Sequence, residues 1–146
     1  MNIYTIGFTQ KNAETFFRLL IENNVECLVD VRLNNVSQLA GFTKANDLKY
    51  FLEKIANIKY IHNVNYAPTK DILDNYKKNK LSWCEYEQLY MNLIKKRNVE
   101  RIFTKETQSY SNVCFLCSEP TAQYCHRRLL AEYLKNNIKN ISIRNL

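Results

Sequence analysis

Two short runs of almost uninterrupted apolar residues constrain the fold of this chain most strongly. They are Cys27-Leu28-Val29-Asp30-Val31 and Val113-Cys114-Phe115-Leu116-Cys117. Strands that helices cover on both faces consist of such runs, whereas strands with one face in water alternate apolar and polar residues. The chain therefore predicts a sheet that is buried on both faces, with strands at 27–31 and 113–117.

Amphipathic segments alternate with these strands and with three weaker strand candidates. Apolar residues recur at helical spacing after Asn12, around 48–55, around 72–76, from 83 to 94 and from 129 to 134. Shorter strands are predicted at 3–6, 58–61 and 141–143. Thr43 is the expected cap of the second helix, and Ser82 with Glu85 forms a capping-box pattern at the start of the fourth. This alternation predicts an α/β fold, a single three-layer domain over residues 1–146 with a mostly parallel sheet of about five strands and helices on both faces.

The composition of the chain restricts the cellular location and the binding partners that we expect for it. No apolar run approaches the roughly 20 residues of a membrane helix, and 5 cysteines with only 2 Gly and 2 Pro suit no secreted disulfide scaffold. We therefore expect a cytoplasmic protein with reduced thiols and no membrane partner. The net charge of +7 favours nucleic acid or another phosphate-bearing partner, although an AT-rich genome, which enriches Lys, Asn and Ile, explains the same charge.

Polar and reactive residues gather where the predicted strands end. Arg32 follows one buried strand, and Cys117 ends the other, with Glu119 two residues later. Ligands of parallel sheets bind outside the carboxyl ends of the strands, and the N-terminus of a helix favours anions. The sequence therefore predicts one site, which consists of Arg32, Cys117 and Glu119 together with the first residues of the last helix, Cys125, His126 and Arg127.

Each of these residues has a chemical role and a structural alternative. Arg32 and Arg127 would bind a phosphate or carboxylate, with Cys125 beside them at the start of the helix. Glu119 would act as acid or base, because a carboxylate at a buried strand end needs a partner or a function. Arg32 is equally explained by a salt bridge to Asp30 or Glu119.

Cys117 and His126 are the remaining catalytic candidates. A thiolate at Cys117 would be the nucleophile if His126 lowered its pKa. The alternatives are an inert buried thiol, and a core histidine that lies on the same helical stripe as Leu130 and Leu134.

Metal binding is not expected. Cys114, Cys117, Cys125 and His126 are zinc-ligand types, but residues three apart in a strand point to opposite faces, which separates Cys114 from Cys117. The same geometry excludes a redox pair at these two positions. Gln123 stands where the phosphate loop of cysteine phosphatases has Arg. We expect neither a metal nor a cofactor.

Several motifs resemble the bacterial domain-of-unknown-function 488 family along nearly the whole chain. The resemblance rests on Thr5-Ile6-Gly7, Leu28-Val29-Asp30-Val31-Arg32, Gly41-Phe42-Thr43-Lys44, Ala67-Pro68-Thr69-Lys70, Phe115-Leu116-Cys117-Ser118-Glu119 and Cys125-His126-Arg127. It implies the same α/β fold and adds Ser37, Lys44 and Lys70 as ligand-binding residues. Phe8 and Gln38 depart from the pattern, in which His and a basic residue are common. The resemblance implies no reaction.

Three functions remain open from the sequence, which does not decide whether the chain is an enzyme. The first is an enzyme or binding domain for a phosphate-bearing ligand, a nucleotide or nucleic acid, at the strand ends. The alternatives are non-catalytic nucleic-acid binding, and thiol or sulfur-transfer chemistry at Cys117 or Cys125.

Overall fold

Five parallel strands form one sheet. A computed structural model describes residues 1–36 and 40–146 of the chain. The strands are β1 (Asn2–Gly7), β2 (Cys27–Asp30), β3 (Lys59–His62), β4 (Asn112–Cys117) and β5 (Ser142–Asn145), in the order β3-β2-β4-β1-β5. Because β4 lies in the centre between β2 and β1, its side chains are almost all buried, as its apolar run predicts.

Helices cover both faces of the sheet. They are α1 (Ala13–Glu22), α2 (Ala45–Phe51), α3 (Lys70–Lys77), α4 (Trp83–Lys96), α5 (Val99–Thr107) and α6 (His126–Asn137). Helices α1 and α2 bury Phe16, Leu20 and Leu48 against one face. Helices α4, α5 and α6 pack on the other face through residues such as Tyr90 and Phe103. The predicted three-layer α/β architecture is confirmed.

Side-chain caps define two of the helix starts, and the capping box at Ser82 is the one that the sequence predicts. Oδ1 of Asn12 accepts a hydrogen bond from the Thr15 amide at 2.8 Å. Oγ of Ser82 accepts one from the Glu85 amide at 3.2 Å, while Oε2 of Glu85 accepts one from the Ser82 amide at 2.7 Å. The predicted cap at Thr43 is wrong, because its hydroxyl donates to the Ala40 carbonyl within a 3₁₀ turn, Gly41–Thr43, that precedes α2.

Helix α5 has no counterpart among the predicted elements. Its buried residues are Val99, Phe103 and Thr107, one per turn, and the residues between them are largely charged. An amphipathic helix is recognised in a sequence by a wide apolar face. A segment with such a narrow apolar stripe is therefore read as a polar loop. Phe103 packs edge-on against Phe115 of β4 at 5.6 Å, so α5 is a genuine part of the core.

The described ranges decide what can be said about two residues named from the sequence and about membrane-spanning helices. Ser37 and Gln38 lie outside the described residues. Over 1–36 and 40–146, no helix combines the length and apolar composition that a membrane span requires.

Candidate functional site

A pocket of about 430 Å³ lies where β2 and β4 end and α6 begins. That volume is within the range of small-molecule sites. Five of the six residues predicted from the strand ends line it, namely Arg32, Cys117, Glu119, Cys125 and His126. The sixth, Arg127, lies behind the pocket, where its side chain is 1% exposed. The sheet therefore brings the predicted cluster together.

Arg32 is held by a buried carboxylate. Its Nε and Nη2 donate to the two carboxylate oxygens of Asp30 at 2.8 and 2.7 Å, and Nη2 also donates to the Thr43 carbonyl at 2.8 Å. The Tyr60 hydroxyl donates to the same carboxylate at 2.7 Å, and the Phe8 ring lies 5.3 Å from the guanidinium. Only Nη1 is buried without a hydrogen-bond partner among the described residues. The salt bridge to Asp30 is thus formed, and one nitrogen remains for a ligand.

The ring of His126 has a defined hydrogen position. Nε2 lies 2.9 Å from the Val31 carbonyl oxygen, which can only accept, so this nitrogen must carry a hydrogen. Nδ1 is left to hold or release a proton. The edge-on ring of Tyr90, 5.4 Å away, fixes the imidazole from the α4 side.

Cys117 contacts this imidazole from the end of β4. Its Sγ lies 3.9 Å from Nδ1 and 4.0 Å from Nε2 of His126. A hydrogen bond from the Cys125 thiol lowers the pKa of Cys117 most; burial opposes the shift, but the charges of His126 and Arg127 add to it, and the pKa lies well below the ordinary thiol value. The anion favoured at this position is therefore the Cys117 thiolate.

The pKa values of the two neighbours shift in the opposite direction. Donation to the Cys117 thiolate raises the pKa of Cys125 well above the ordinary value, and burial adds to this. Burial by itself lowers the pKa of His126, but the charge of Cys117 and its hydrogen bond outweigh burial and raise it. These directions favour the thiolate at Cys117, the thiol at Cys125 and the protonated form of His126.

Arg127 is a buried cation without a carboxylate partner in the described parts of the chain. Nη1 donates to the Glu119 carbonyl at 2.7 Å and lies 3.4 Å from Sγ of Cys125, and Nε donates to the Thr5 hydroxyl at 3.3 Å. A buried charge needs an opposite charge nearby. The charge of Arg127 correspondingly helps to lower the pKa of Cys117.

Glu119 contributes its backbone to the site. Its side chain is exposed, so the prediction of a carboxylate that is buried at a strand end is wrong. The chain turns outward after Cys117, which puts the carbonyl of Glu119 on Arg127 and the carboxylate at the pocket mouth. Gly7 makes this turn possible, since a Cβ at Gly7 would overlap the Glu119 carbonyl oxygen.

The family model described as "Domain of unknown function DUF488" matches residues 12–134. The chain belongs to the DUF488 family. No curated protein and no solved structure matches this chain significantly. The pocket lies within the matched range except for Thr9, on the loop after β1.

Two lysines that the resemblance implied for the site of this DUF488 protein do not line the pocket. Lys70 opens α3 with 82% of its side chain exposed and pairs with Asp74 at 3.2 Å. Lys44 is half-buried directly before α2. Lys77, from the last turn of α3, is the lysine that lines the pocket.

An aromatic wall that the sequence did not assign to the site encloses the pocket of this DUF488 protein. Tyr76, Tyr86 and Tyr124 line it. Trp83 stacks on Tyr86 with the ring centres 5.2 Å apart and meets Tyr124 edge-on at 5.5 Å. Tyr86 also packs in the core, where it belongs to the same buried cluster as Tyr90. One helix face therefore serves both purposes, which periodicity alone does not reveal.

Among the described residues of this DUF488 protein, Cys117, Cys125 and His126 could hold a soft metal ion, since their ligand atoms lie within 4.8 Å of one another. Cys114 is not among them because it packs on the other face of the sheet, as predicted. The fixed charge of Arg127, 3.4 Å from Sγ of Cys125, opposes a second cation at this point.

Proposed function

We propose that this DUF488 protein is an enzyme whose nucleophile is the Cys117 thiolate, acting on a small substrate in the pocket. The observation that carries the proposal is the contact between Sγ of Cys117 and the imidazole of His126, whose Nε2 hydrogen is committed to Val31. A nucleophile beside a base that a third group orients is the arrangement that activates thiols for catalysis.

In this mechanism, the residues around Cys117 have different roles. His126 holds a proton at Nδ1 for the group that leaves the substrate, and Arg127 stabilises the thiolate before attack. The distance of 3.9 Å from sulfur to Nδ1 is long for proton transfer, but such contacts commonly shorten once substrate is bound. Glu119 has no place in this mechanism, because its exposed carboxylate lies at the mouth of the pocket.

Alkylation rates test the proposal. Iodoacetamide is applied from about pH 5 to about pH 9 with a chelator present, and peptide mass spectrometry follows each cysteine. We expect the alkylation rate of Cys117 to rise with pH through an inflection well below the ordinary thiol pKa of about 8.5. The reason is that neighbouring positive charge and the Cys125 hydrogen bond favour the thiolate. Exposed Cys84 serves as an internal reference for the reagent.

A substitution of His126 provides the matched comparison. His126→Gln removes the positive charge, so the inflection for Cys117 should move upward, while the reaction of Cys84 is unchanged. The thermal midpoint shows whether the variant is folded. A wild-type inflection at or above about 8.5 would contradict the proposal.

A second candidate function, binding of a phosphate-bearing ligand, is favoured by Nη1 of Arg32. This nitrogen is buried without a partner among the described residues, in a side chain that lines the pocket beside Lys77. Guanidinium groups bind oxyanions through paired donors. Non-catalytic nucleic-acid binding, the other alternative, stays a prediction from net charge.

Phosphate titration separates this candidate from the first. Inorganic phosphate should raise the thermal midpoint of the wild type, with chloride at equal ionic strength as the control. Arg32→Lys keeps a cation beside Asp30 but lacks Nη1. Phosphate should therefore raise the thermal midpoint of this variant much less than that of the wild type. Equal shifts in both proteins would show that phosphate does not use Arg32.

A further inference from the structure

We propose that Cys117 and Cys125 act as a pair that reduces small-molecule disulfides, with Cys117 attacking and Cys125 resolving the mixed disulfide. The inference rests on the proposed function, since Cys117 must first be a nucleophile. It assigns Cys125 a catalytic part and gives the substrate a chemical class.

The two sulfur atoms are close although they come from different elements. Cys117 ends β4 and Cys125 caps α6, yet both sulfur atoms and a ring nitrogen of His126 lie within 4.8 Å of one another. A disulfide requires the sulfur atoms to approach to about 2 Å. Residues 118–124 between them contain neither helix nor strand, so this approach need not break either element.

The pair is chemically asymmetric, which fixes the order of the two steps. Sγ of Cys117 lies 3.9 Å from Nδ1 of His126, so Cys117 is the thiol that has a proton acceptor beside it, and its thiolate attacks first. When Cys117 is bound in a mixed disulfide, no anion remains to hold the hydrogen of Cys125. The guanidinium of Arg127, with Nη1 3.4 Å from Sγ of Cys125, then favours the Cys125 thiolate. Cys125 thus becomes reactive only after Cys117 has reacted.

The two steps balance in atoms and electrons. In the first, the Cys117 thiolate attacks one sulfur of the substrate disulfide, and the released thiolate takes the proton of His126 and leaves as a thiol. In the second, Cys125 passes its proton to the now neutral His126 and attacks Sγ of Cys117. The substrate's second sulfur leaves as a thiolate and takes that proton. The substrate gains two electrons, the protein disulfide forms, and a small dithiol reductant returns the pair to its starting state.

Burial of the sulfur atoms selects a small substrate. The side chain of Cys117 is 6% exposed and that of Cys125 is 2% exposed. The surface disulfide of a folded protein cannot reach such atoms. A pocket of about 430 Å³ with aromatic walls and Lys77 at its edge admits instead a small disulfide that carries apolar and anionic groups.

The experiment uses 5,5′-dithiobis(2-nitrobenzoate), an anionic aromatic disulfide whose thiol product is coloured. The background is Cys84→Ser, which removes the exposed thiol, and a chelator is present throughout. Cys27 and Cys114 stay silent, because burial raises the pKa of Cys27 to about 12 and likewise raises that of Cys114. We expect release of about two coloured thiols per chain, no retained adduct, and the mass of a disulfide between Cys117 and Cys125.

Two variants in the same background separate the steps. With Cys125→Ser, about one coloured thiol should be released per chain and the other half of the reagent should stay on Cys117. With Cys117→Ser, Arg127 favours the Cys125 thiolate directly, so about one coloured thiol should be released per chain and no protein disulfide should form. Where Cys117→Ser does not fold, the comparison of Cys125→Ser with the unsubstituted pair, about one coloured thiol against about two, still tests the pairing.

The outcomes distinguish this inference from the function on which it rests. A stable adduct on Cys117 while Cys125 is present would overturn the resolving role of Cys125 but leave Cys117 as the nucleophile. No reaction at Cys117 would overturn both. Loss of the adduct in Cys125→Ser through another cysteine would also overturn the pairing.

Discussion

Arg127 shows how one residue connects the fold to its chemistry. Its guanidinium is almost wholly buried, and its oxygen partners are the Glu119 carbonyl and the Thr5 hydroxyl. Neutral acceptors do not cancel a charge, and the charge of Arg127 lowers the pKa of Cys117. The buried guanidinium thus favours the form of Cys117 on which the proposed function depends.

The approach of Gly7 to Glu119 gives a residue-scale prediction. Gly7 pairs with Cys117 in the register of β1 and β4, and an added Cβ would overlap the Glu119 carbonyl and lie 3.2 Å from Nη1 of Arg127. Gly7→Ala should therefore lower the free energy of unfolding by about 1–3 kcal/mol, as overpacking does. Urea denaturation measures the change.

Gly41→Ala is the matched control for this prediction. A Cβ there meets nothing within 4 Å, and neither glycine has a positive φ. The control should be neutral or more stable by about 0.4–1 kcal/mol, because alanine restricts the unfolded chain. Equal destabilisation of both variants would contradict the steric explanation.

Much of the site could be predicted residue by residue, and the failures have physical causes. Strand ends fixed the positions of Arg32 and Cys117, and the opposite faces of Cys114 and Cys117 follow from the strand period. The exposure of Glu119 was not readable, since it depends on how the chain leaves β4. The closeness of Cys117 and Cys125 depends likewise on the path of 118–124, which no period encodes.

Helix α4 contributes Tyr86 to the aromatic wall and also supports the imidazole of His126. Tyr86 lines the pocket, and Tyr90, one turn later, packs against His126 at 5.4 Å while its hydroxyl donates to the Tyr66 carbonyl at 2.6 Å. A helix that is fixed at its start holds both rings in place. The capping box at Ser82 therefore helps to hold Tyr86 and Tyr90 in position, because it fixes the start of the helix that carries them.

Removal of that cap gives an element-scale prediction. Ser82→Ala loses the hydroxyl that accepts from the Glu85 amide, so the free energy of unfolding should fall by about 1 kcal/mol. Chemical denaturation measures the loss. Ser109→Ala is the control, because Ser109 is exposed and makes no side-chain hydrogen bond with the described residues. An equal loss in the control would show that the cap contributes nothing specific.

Elements were predictable where one face is broad and apolar. The buried strands and the helices with wide stripes are present, whereas α5, with one buried residue per turn, was missed. The cap of α2 was misplaced because Thr43 makes its hydrogen bond backward to Ala40. Side chains that bond to local backbone in either direction are ambiguous in sequence.

At the scale of the whole molecule, strand order explains why a site exists at this edge. The sequence predicts parallel strands, but their order comes from packing of the helices. With β4 between β1 and β2, the carboxyl ends of three strands meet. There β1 brings Thr5 and Gly7 to Arg127, β2 is followed by Val31 and Arg32, and β4 ends at Cys117. Residues far apart in the chain thus become neighbours.

The stacked pair of Trp83 and Tyr86 gives the molecule an optical property. Trp83 is the only tryptophan of the chain, and its ring lies between Tyr86 and Tyr124 at the pocket. All indole fluorescence of this protein therefore originates beside the pocket wall, and quenching by a bound chromophore would be read without any label.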